Sequence, residues 1–468
     1  MAQPLNVEPS SIPGLMVVHL PVHGDSRGWF KENWQRDKMV AAGLPDFQPI
    51  QNNISFNVAR GVTRGFHAEP WDKFVSVATG SVFGAWVDLR QGPTFGKTFS
   101  CTITSDVAVF VPRGVANAFQ TLEPDTAYTY LVNAHWREGS EYLSVNLSDP
   151  QIEVHWPIPL VDALTSEKDS HSPTLKEVRP MADRKLVVLG AGGQLGRELA
   201  AHMPRVVTRS HSEVDIAEAG ALAGLDPTTT GAVINAAAFT EVDRAETIEG
   251  RAVAWRVNAE GPGRLADFCN ELDVPLIHVS SDYVFDGSKH GEYLETQPLS
   301  PQGVYGQTKA AGDIAAARAR RHYILRTSWV IGNGPNFVRT MFTLARKGAE
   351  ALVVSDQRGR PTFTSELRQA AEHLMAVKAE YGIYNVTNSG DSVSWSELAR
   401  EVYRLADADP NLIRDVTTSD YFADNPEAAP RPANSLLSLQ KLKATGFASR
   451  DWRELLADYV ADLKRDEQ

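Results

Sequence analysis

The sequence has few cysteines and no long apolar run, and both absences narrow the class of protein. Only two cysteines, Cys101 and Cys269, occur among 468 residues, so neither a disulfide framework nor a cysteine-based metal site is expected. No apolar stretch approaches the roughly 20 residues that a transmembrane helix needs. The N-terminus, MAQPLNVEPSSIPG, lacks the basic and apolar segments of a signal peptide. We therefore expect a cytoplasmic protein.

Positive charge is also scarce. The 58 Asp and Glu residues outnumber the 46 Lys and Arg residues, and the formal net charge is −12. This balance argues against binding to nucleic acid or to an anionic membrane. The length and the ordinary globular composition predict two or three domains, each with its own core.

Two kinds of pattern follow each other along the chain. Up to about residue 180, runs such as KFVSVATGSVFGAWVDL (73–89) predict an all-β sandwich or barrel. After it, strand-like and helix-like runs alternate, as in KLVVLGAGGQLGRELAAHM (185–203), which predicts a doubly wound parallel sheet. We predict a first domain over residues 1–178, a linker over 179–184 and a second domain over 185–468.

A glycine-rich turn opens the second domain. Gly190, Gly193 and Gly196 join a predicted strand to a predicted helix, which permits a tight turn and brings the helix N-terminus to a pyrophosphate. Such turns are common, so the prediction depends on the strand–turn–helix context. Arg209, near the end of the next strand, fits either the 2′-phosphate of NADPH or a solvated surface position. Asp215 fits either a place beside the adenine or a turn cap.

Tyr305 and Lys309 lie four residues apart in VYGQTK, on one face of a predicted helix. An ammonium group one turn from a phenol favours phenolate, so the tyrosine can donate a proton to a developing alkoxide. Ser281 ends the preceding apolar run. Its hydroxyl would hydrogen-bond the substrate carbonyl oxygen that receives the proton of the tyrosine. A surface Tyr–Lys pair is the alternative, and the order of the three elements favours a catalytic trio.

His67 is the main candidate in the first domain. A histidine that is oriented by a carboxylate can act as a general base, and a tyrosine across the pocket can act as a general acid on the opposite face of the substrate. Tyr130 and Asp169 are candidate partners, but spacing alone does not bring them together, and a structural histidine is the alternative. A cupin-type metal site from His67, Glu69 and His135 is not predicted, because no His-x-His pair with a following glutamate occurs.

Residues from about 185 to 465 resemble the dTDP-4-dehydrorhamnose reductases of the extended short-chain dehydrogenase/reductase superfamily. The matching stretches include GAGGQLGREL, VINAAAFTEVDRAE, HVSSDYVFDG, SPQGVYGQTKAAGD and RPANSLLSLQKL. The resemblance implies a Rossmann fold, NADPH or NADH as the cofactor, and Ser281 (usually threonine in the family), Tyr305 and Lys309 as catalytic residues. It also implies a Mg²⁺ site in this domain, although no set of ligands for the ion is recognisable in the sequence. With the glycine turn and Arg209, the predicted cofactor contacts are Gly190, Gly193, Gln194, Leu195, Gly196, Arg209, Asp215, Ile216, Ala237, Ala238, Phe239, Tyr305 and Lys309, and the predicted substrate contacts are Ser281, Asp282 and Trp329.

Residues from about 5 to 175 resemble the dTDP-4-dehydrorhamnose 3,5-epimerases, a metal-free family with a cupin-type jelly roll. The matching motifs include GDSRGWFKE, QNNIS, GVTRGFH, VPRGVANAF, YTYLV and LTSEKDSHSP. The resemblance implies His67 as the general base, Asp169 as its orienting carboxylate, Tyr130 as the general acid, and a homodimer through this domain. It implies substrate contacts at Arg27, Glu32, Gln51, Asn53, Arg64, Lys73, Glu141 and Lys168.

The chain departs from the epimerase pattern at two places. Asn117 stands in VANAF, where the family usually has histidine, so this predicted substrate contact cannot carry charge. The segment between His67 and Lys73 is shorter than usual, which makes Lys73 the least secure transfer. These departures raise the alternative that the reaction is restricted to one carbon.

The two resemblances together predict a bifunctional enzyme of dTDP-L-rhamnose biosynthesis. It would epimerise dTDP-4-dehydro-6-deoxy-D-glucose at C3 and C5 and then reduce the C4 ketone with NAD(P)H. Two alternatives keep the catalysis: another nucleotide-4-keto sugar, or epimerisation at one carbon only. A third is a non-catalytic regulatory protein that binds a sugar nucleotide or NADP.

Overall fold

The computed structural model describes residues 4–135, 142–425 and 427–466. It divides into two compact units, Met1–Asp183 and Arg184–Gln468. Met181 lies in the predicted linker, yet its N–H donates to Leu89 O and its carbonyl accepts from Gln91 N, both at 2.8 Å. The first unit therefore extends past residue 178, and the extent of the linker remains a prediction.

The first unit is built from antiparallel strands. They are β1 (Asn6–Pro9), β2 (Met16–His19), β3 (Val22–Asp25), β4 (Gly28–Lys31), β5 (Gln51–Asn57), β6 (Thr63–Ala68), β7 (Lys73–Thr79), β8 (Val82–Asp88), β9 (Thr98–Ile103), β10 (Val107–Val111), β11 (Val115–Thr121), β12 (Thr126–Val132) and β13 (Leu143–Ser144), with helices α1 (Arg36–Ala41) and α2 (Glu167–Ser170). One sheet has the order β1-β2-β10-β7-β12-β5 and the other β13-β6-β11-β8-β9, while β3 and β4 form a separate hairpin.

The two larger sheets enclose the core of this unit. Val77 and Tyr128 of the first sheet share a buried cluster with Trp86 and Phe119 of the second. Side chains of a strand alternate between its faces, so each sheet can bury one face and leave the other to solvent. The predicted jelly roll is confirmed.

The second unit alternates strands and helices. Its strands are β14 (Lys185–Leu189), β15 (Val207–Arg209), β16 (Thr230–Asn235), β17 (Leu276–Ser281), β18 (His322–Thr327), β19 (Val330–Ile331), β20 (Ala351–Val354), β21 (Arg358–Gly359), β22 (Thr362–Phe363), β23 (Gly382–Asn385), β24 (Val393–Ser394) and β25 (Ile413–Val416). Its helices are α3 (Gln194–His202), α4 (Ile248–Trp255), α5 (Gly261–Leu272), α6 (Val304–Ala316), α7 (Phe337–Arg346), α8 (Thr364–Ala376), α9 (Trp395–Leu405), α10 (Thr418–Tyr421), α11 (Gln440–Ala444) and α12 (Trp452–Asp466).

A six-stranded parallel sheet of order β15-β14-β16-β17-β18-β23 forms the centre of this unit. Val188 packs against Leu199 of α3 on one face of the sheet, and Val187 packs against Leu265 of α5 on the other. Helices α7, α9 and α12 form a further buried cluster toward the C-terminus. The predicted Rossmann fold is confirmed, and its strands direct their carboxyl ends to one edge, where ligands bind in such sheets.

Candidate active sites

A cavity of about 330 Å³ opens in the first unit. Strands β6, β7, β11 and β12 supply most of its wall, and β5, the loop after β6 and the start of α2 complete it. The lining residues are Ser55, Arg64, His67, Glu69, Lys73, Val75, Asn117, Phe119, Tyr128, Tyr130, Ser166, Lys168 and Asp169. The fold thus brings most of the predicted residues of this domain into one place.

His67 and Asp169 are bound to each other at this cavity. His67 Nε2 lies 2.8 Å from Asp169 Oδ1, and Asp169 Oδ2 accepts a hydrogen bond from Gly65 N at 3.3 Å. Ser166 caps α2 by accepting from Asp169 N at 3.1 Å. Burial favours a higher pKa for Asp169, but the hydrogen bonds, led by that of His67, outweigh it and lower the pKa. Asp169 is therefore a carboxylate that fixes the histidine ring.

Tyr130 lines the same cavity beside a buried ion pair. Lys73 Nζ lies 5.9 Å from the centre of the Tyr130 ring and pairs with Glu69. Burial raises the pKa of Tyr130, Glu69 adds to the rise, and Arg64 opposes it. Tyr130 consequently holds its proton at neutral pH, as a general acid must.

Asn117 lies opposite His67 in the register of β11 and β6. It is buried, and its Oδ1 accepts a hydrogen bond from Tyr128 Oη at 3.2 Å. The Tyr128 ring in turn stacks on Phe119, with 4.1 Å between the ring centres. Asn117 is thus a neutral wall residue whose oxygen already has a donor.

The other predicted substrate contacts of this domain fall into two groups, one beside the cavity and one that does not line it. Gln51 Nε2 donates to Asn53 Oδ1 at 2.9 Å, and both share a face of β5 with the cavity residue Ser55. Arg27 pairs with an aspartate in the exposed β3–β4 turn, while Glu32 accepts from a lysine of α1 at 2.6 Å. Neither Arg27 nor Glu32 lines this cavity, and Glu141 lies outside the described residues.

A larger cavity, of about 620 Å³, lies at the carboxyl ends of the parallel strands of the second unit. It combines the start of α3, the loops after β16, β17 and β18, and residues of the C-terminal part. Its lining includes Gly193, Gln194, Leu195, Ala236, Ala238, Thr240, Val242, Ser281, Asp282, Tyr283, Tyr305, Lys309, Trp329, Gln357, Trp395, Pro432 and Ser435.

The glycine turn is packed too tightly for side chains. A Cβ on Gly190, which has φ +79°, would lie 2.5 Å from Ala237 N, and one on Gly196 would lie 2.1 Å from Gly190 O. Gly193 stands at the N-cap of α3, so the helix presents its first N–H groups beside the cavity. Gln194 Oε1 accepts from Gly332 N at 2.9 Å. This cradle suits a pyrophosphate.

Arg209 supports this turn from the neighbouring strand β15, and Asp215 lies in the loop that follows it. Arg209 O accepts from Gly190 N at 3.0 Å, and its guanidinium donates to Thr208 O at 3.0 Å. Asp215 Oδ1 accepts from Ala217 N at 2.9 Å, and Ile216 beside it is buried.

Asn258 fixes the loop that follows β16. It is buried, its Oδ1 accepts from Phe239 N at 2.9 Å, and its Nδ2 donates to Phe239 O at 3.0 Å. The same Nδ2 lies 3.2 Å from Thr308 Oγ1 on α6. Ala237 and Ala238 precede Phe239 in this loop, so Asn258 sets the place of three predicted cofactor contacts. Our sequence reasoning missed it, because its partners are 19 and 50 residues away.

Tyr305 and Lys309 face the cavity from α6, near Ser281 at the end of β17. Lys309 Nζ donates to Val279 O at 2.7 Å, and burial lowers its pKa to about 8. Burial raises the pKa of Tyr305 to about 12, Asp282 adds to the rise, and the Ser281 hydroxyl opposes it. The phenol therefore keeps its proton at neutral pH, because desolvation is the largest effect on it, and the role of Lys309 in favouring the phenolate stays a prediction.

Asp282 and Trp329 lie on the wall of the same cavity. Burial raises the pKa of Asp282 to about 6, and Ser281 Oγ donates to its Oδ1 at 3.0 Å. The Trp329 ring stacks on Trp395, with 3.7 Å between the ring centres, and Trp395 Nε1 donates to Gln357 Oε1 at 3.2 Å. Our sequence reasoning missed Trp395 and Gln357.

Comparison with known proteins assigns each unit. Residues 9–177 match the family dTDP-4-dehydrorhamnose 3,5-epimerase, and residues 184–465 match the family RmlD substrate binding domain. A protein RmlC homolog of Streptococcus pyogenes is 47% identical over 38% of this chain and 93% of its own. A probable dTDP-4,6-dihydroxy-2-methyloxan-3-one 4-ketoreductase of Streptomyces antibioticus is 39% identical over 59% of this chain and 95% of its own.

A crystal structure of dTDP-4-dehydrorhamnose reductase from Bacillus anthracis, in complex with NADP, is also similar. It is 30% identical with a TM-score of 0.56, and the match covers 60% of this chain and 99% of that one. The chain belongs to both families. It is a bifunctional enzyme, with an epimerase unit followed by a reductase unit.

Neither unit offers a metal site within its described residues. No group of three or more His, Cys, Asp or Glu side chains there could hold a metal ion, so the Mg²⁺ expectation has no ligand set in that part of the reductase unit. No helix among the residues described is long and apolar enough to cross a membrane.

Proposed function

We propose that this chain converts dTDP-4-dehydro-6-deoxy-D-glucose into dTDP-L-rhamnose in two steps. The epimerase unit inverts C3 and C5, and the reductase unit then reduces the C4 ketone with NADPH. The observation that carries the proposal is the His67–Asp169 pair, which shares one cavity with the protonated Tyr130 in the same chain as a complete Ser281–Tyr305–Lys309 trio.

The epimerase step is proton exchange at carbons next to a ketone. Asp169 binds His67 Nε2, so Nδ1 is the ring nitrogen that takes the proton from C3 or C5. The electron pair left behind moves into the enolate of the C4 carbonyl. Tyr130 then gives its phenolic proton to the opposite face of the carbon and inverts the centre. Arg64 provides positive charge at the cavity wall for the enolate and for phosphate groups, and Lys73, whose charge is paired with Glu69, can donate hydrogen bonds there.

The reductase step needs a proton donor beside the ketone. NADPH, when bound, supplies the hydride to C4. The cradle of Gly190 and Gly196 and the start of α3 fit its pyrophosphate, and the NADP complex of the Bacillus anthracis reductase supports this cofactor. Tyr305 donates its proton to the oxygen of C4, and the one hydroxyl proton of Ser281 turns from Asp282 Oδ1 to the same oxygen to give a second hydrogen bond. The ammonium of Lys309 stabilises the resulting phenolate.

Both catalytic assignments can be tested with dTDP-4-dehydro-6-deoxy-D-glucose in deuterated water. NADPH oxidation reports the reductase, and deuterium at C3 and C5 reports the epimerase. We expect Tyr305→Phe to stop oxidation and leave exchange intact. We expect His67→Ala to abolish exchange and leave reduction of pre-epimerised ketone intact. Exchange that survives His67→Ala would contradict the assignment of the base.

The second candidate function is epimerisation at only one of the two carbons, and Asn117 favours it. Its amide has no charge to offer an enolate, and its oxygen already accepts from Tyr128. Position-resolved exchange separates the candidates: deuterium at both carbons supports the 3,5-epimerase, and deuterium at one carbon supports the restricted enzyme. Asn117→His should then extend exchange to the second carbon.

We also propose a homodimer through the epimerase unit. Edge strand β5 exposes Ile54 and Phe56 at 66% and 57%, and the β3–β4 hairpin exposes Phe30 at 66%. Arg27 lies in the turn of this hairpin and Glu32 directly follows it, and neither lines the cavity of its own chain, which fits a contribution to the cavity of a second copy. Light scattering should give twice the 51.3 kDa of the chain, and Phe56→Glu should give a monomer. A monomeric wild type refutes this proposal.

A further inference from the structure

One turn of the reductase unit, residues 243–246, contacts two distant segments. Glu246 Oε1 accepts a hydrogen bond from Val304 N at 2.7 Å, across 58 residues of sequence. Asp243 Oδ1 accepts from Ala429 N at 3.1 Å, and Asp243 Oδ2 accepts from Arg431 at 2.7 Å. The turn therefore holds both the start of α6 and the loop 429–432.

Glu246 takes the place of a missing cap on α6. The first N–H groups of a helix have no partner within the helix, and the N-cap residue here is Gly303, which has no side chain to accept from them. A Cβ on Gly303 would lie 2.7 Å from Glu246 Oε1 and 3.1 Å from Pro430 Cδ. A side chain at position 303 would therefore have to displace the Glu246 carboxylate and crowd Pro430. Tyr305, the proton donor, is only two residues further on.

Asp243 fixes the neighbouring loop on both sides of Pro430. The hydrogen bond from Arg431 is the main cause that lowers the pKa of Asp243, so the carboxylate stays charged at neutral pH. The Arg431 guanidinium also lies 4.5 Å from the centre of the Phe422 ring. Pro432, which follows directly, and Ser435, three residues further on, line the reductase cavity. Asp243 therefore holds a stretch of the cavity wall.

We propose that the turn 243–246 positions Tyr305 relative to the substrate-binding wall of the reductase. Glu246 is a positioning residue for Tyr305, and Asp243 is a positioning residue for the wall that includes Pro432 and Ser435. The inference rests on the proposed function for the reaction that it serves. A proton donor must stay within hydrogen-bond reach of the reacting oxygen, and a displacement of about 1 Å lowers the rate by about a hundredfold.

Glu246→Ala, Glu246→Gln and the control Glu249→Ala test this. Glu249 lies three residues away on the exposed side of α4. We expect Glu246→Ala to lower kcat of NADPH oxidation about tenfold to a hundredfold while the NADPH affinity stays unchanged. Glu246→Gln keeps an acceptor oxygen and should recover most of the rate, and Glu249→Ala should match wild type.

Three results would overturn the inference. They are a Glu246→Ala kcat within about twofold of wild type, a parallel loss of NADPH affinity, which would mean general disruption, and a Glu246→Gln enzyme as slow as Glu246→Ala. Asp243→Asn adds a fourth test, because it should raise KM for the sugar more than it lowers kcat. An equal effect on both would remove Asp243 from the inference.

Amide hydrogen exchange gives a readout that does not depend on activity. The N–H of Val304 should exchange faster in Glu246→Ala than in wild type or Glu249→Ala, because it loses its acceptor. Unchanged exchange there would overturn the role of Glu246 whatever the kinetics. A wild-type enzyme that fails to oxidise NADPH with the sugar would instead refute the proposed function.

Discussion

Asp282 should make the reductase unit less stable at neutral pH. Its side chain is 3% exposed, and burial raises its pKa from 3.8 to about 6. The folded state therefore binds the proton more tightly than the unfolded state. The stability that this carboxyl contributes is fully present below about pH 4 and is lost as the pH rises through about 6. Above that pH, the folded unit must bury a charge.

The change to make is Asp282→Asn, which keeps an oxygen for the Ser281 hydroxyl and removes the charge. With these pKa values, the free energy of unfolding of the variant relative to wild type should rise by about 2 kcal/mol between about pH 4.5 and about pH 7. Urea unfolding at a series of pH values measures this. The reductase transition is identified by its shift with NADPH, since the two units need not unfold together.

Asp286→Asn provides the control, since the pKa of Asp286 is lowered, chiefly by the hydrogen bond from Ser288 N. The stability from Asp286 is therefore lost as the pH falls, and this variant should lose stability at neutral pH rather than gain it. If the difference between Asp282→Asn and wild type stays constant across the pH range, Asp282 does not titrate as a buried carboxyl. The burial argument would then be wrong.

Three further changes test other contacts of the two sites. Asp313→Asn removes the carboxylate 2.9 Å from the buried guanidinium of Arg326 and leaves that charge uncompensated, so it should lower the unfolding free energy by about 3–5 kcal/mol; a loss below about 1 kcal/mol in urea unfolding would contradict this. The Glu69 carboxylate pairs with Lys73 and helps to raise the pKa of Tyr130, the general acid. Glu69→Gln should therefore lower that pKa and move the alkaline limb of the pH profile of deuterium exchange to lower pH. An unmoved limb would count against this. Trp395→Leu removes the ring on which Trp329 stacks in the cavity wall and should raise KM for the sugar about two- to tenfold. A change confined to the KM of NADPH would contradict a role in sugar binding.

The helical parts of the reductase site were the easiest to predict from the sequence. Tyr305 and Lys309 are four residues apart, and a helix places such residues on one face whatever the rest of the fold does. The glycine turn was equally local, since Gly190 and Gly196 follow a strand and open a helix. Local geometry did not predict the protonation of Tyr305. Its pKa depends on burial and on Asp282, which belongs to another element.

The epimerase site could not be assembled from spacing. His67 and Asp169 are 102 residues apart, and Asp169 lies in a polar segment that has the composition of a linker. Only the resemblance to a family connected the two. The buried pair of Glu69 and Lys73 was missed for a related reason: both belong to one short stretch, but their burial depends on strands that close over them later in the chain.

Two side chains to which the sequence assigned no role have similar partners in the fold. Asn258 and Glu246 belong to neither the catalytic trio nor the glycine turn. Asn258 binds the backbone of the predicted contact Phe239, and Glu246 binds that of Val304, which precedes Tyr305. Their partners lie in other elements, so no periodic pattern marks them. Since most buried polar side chains in native proteins are hydrogen-bonded, the place to search for such positioning residues is among polar side chains that bind backbone groups near a reacting residue.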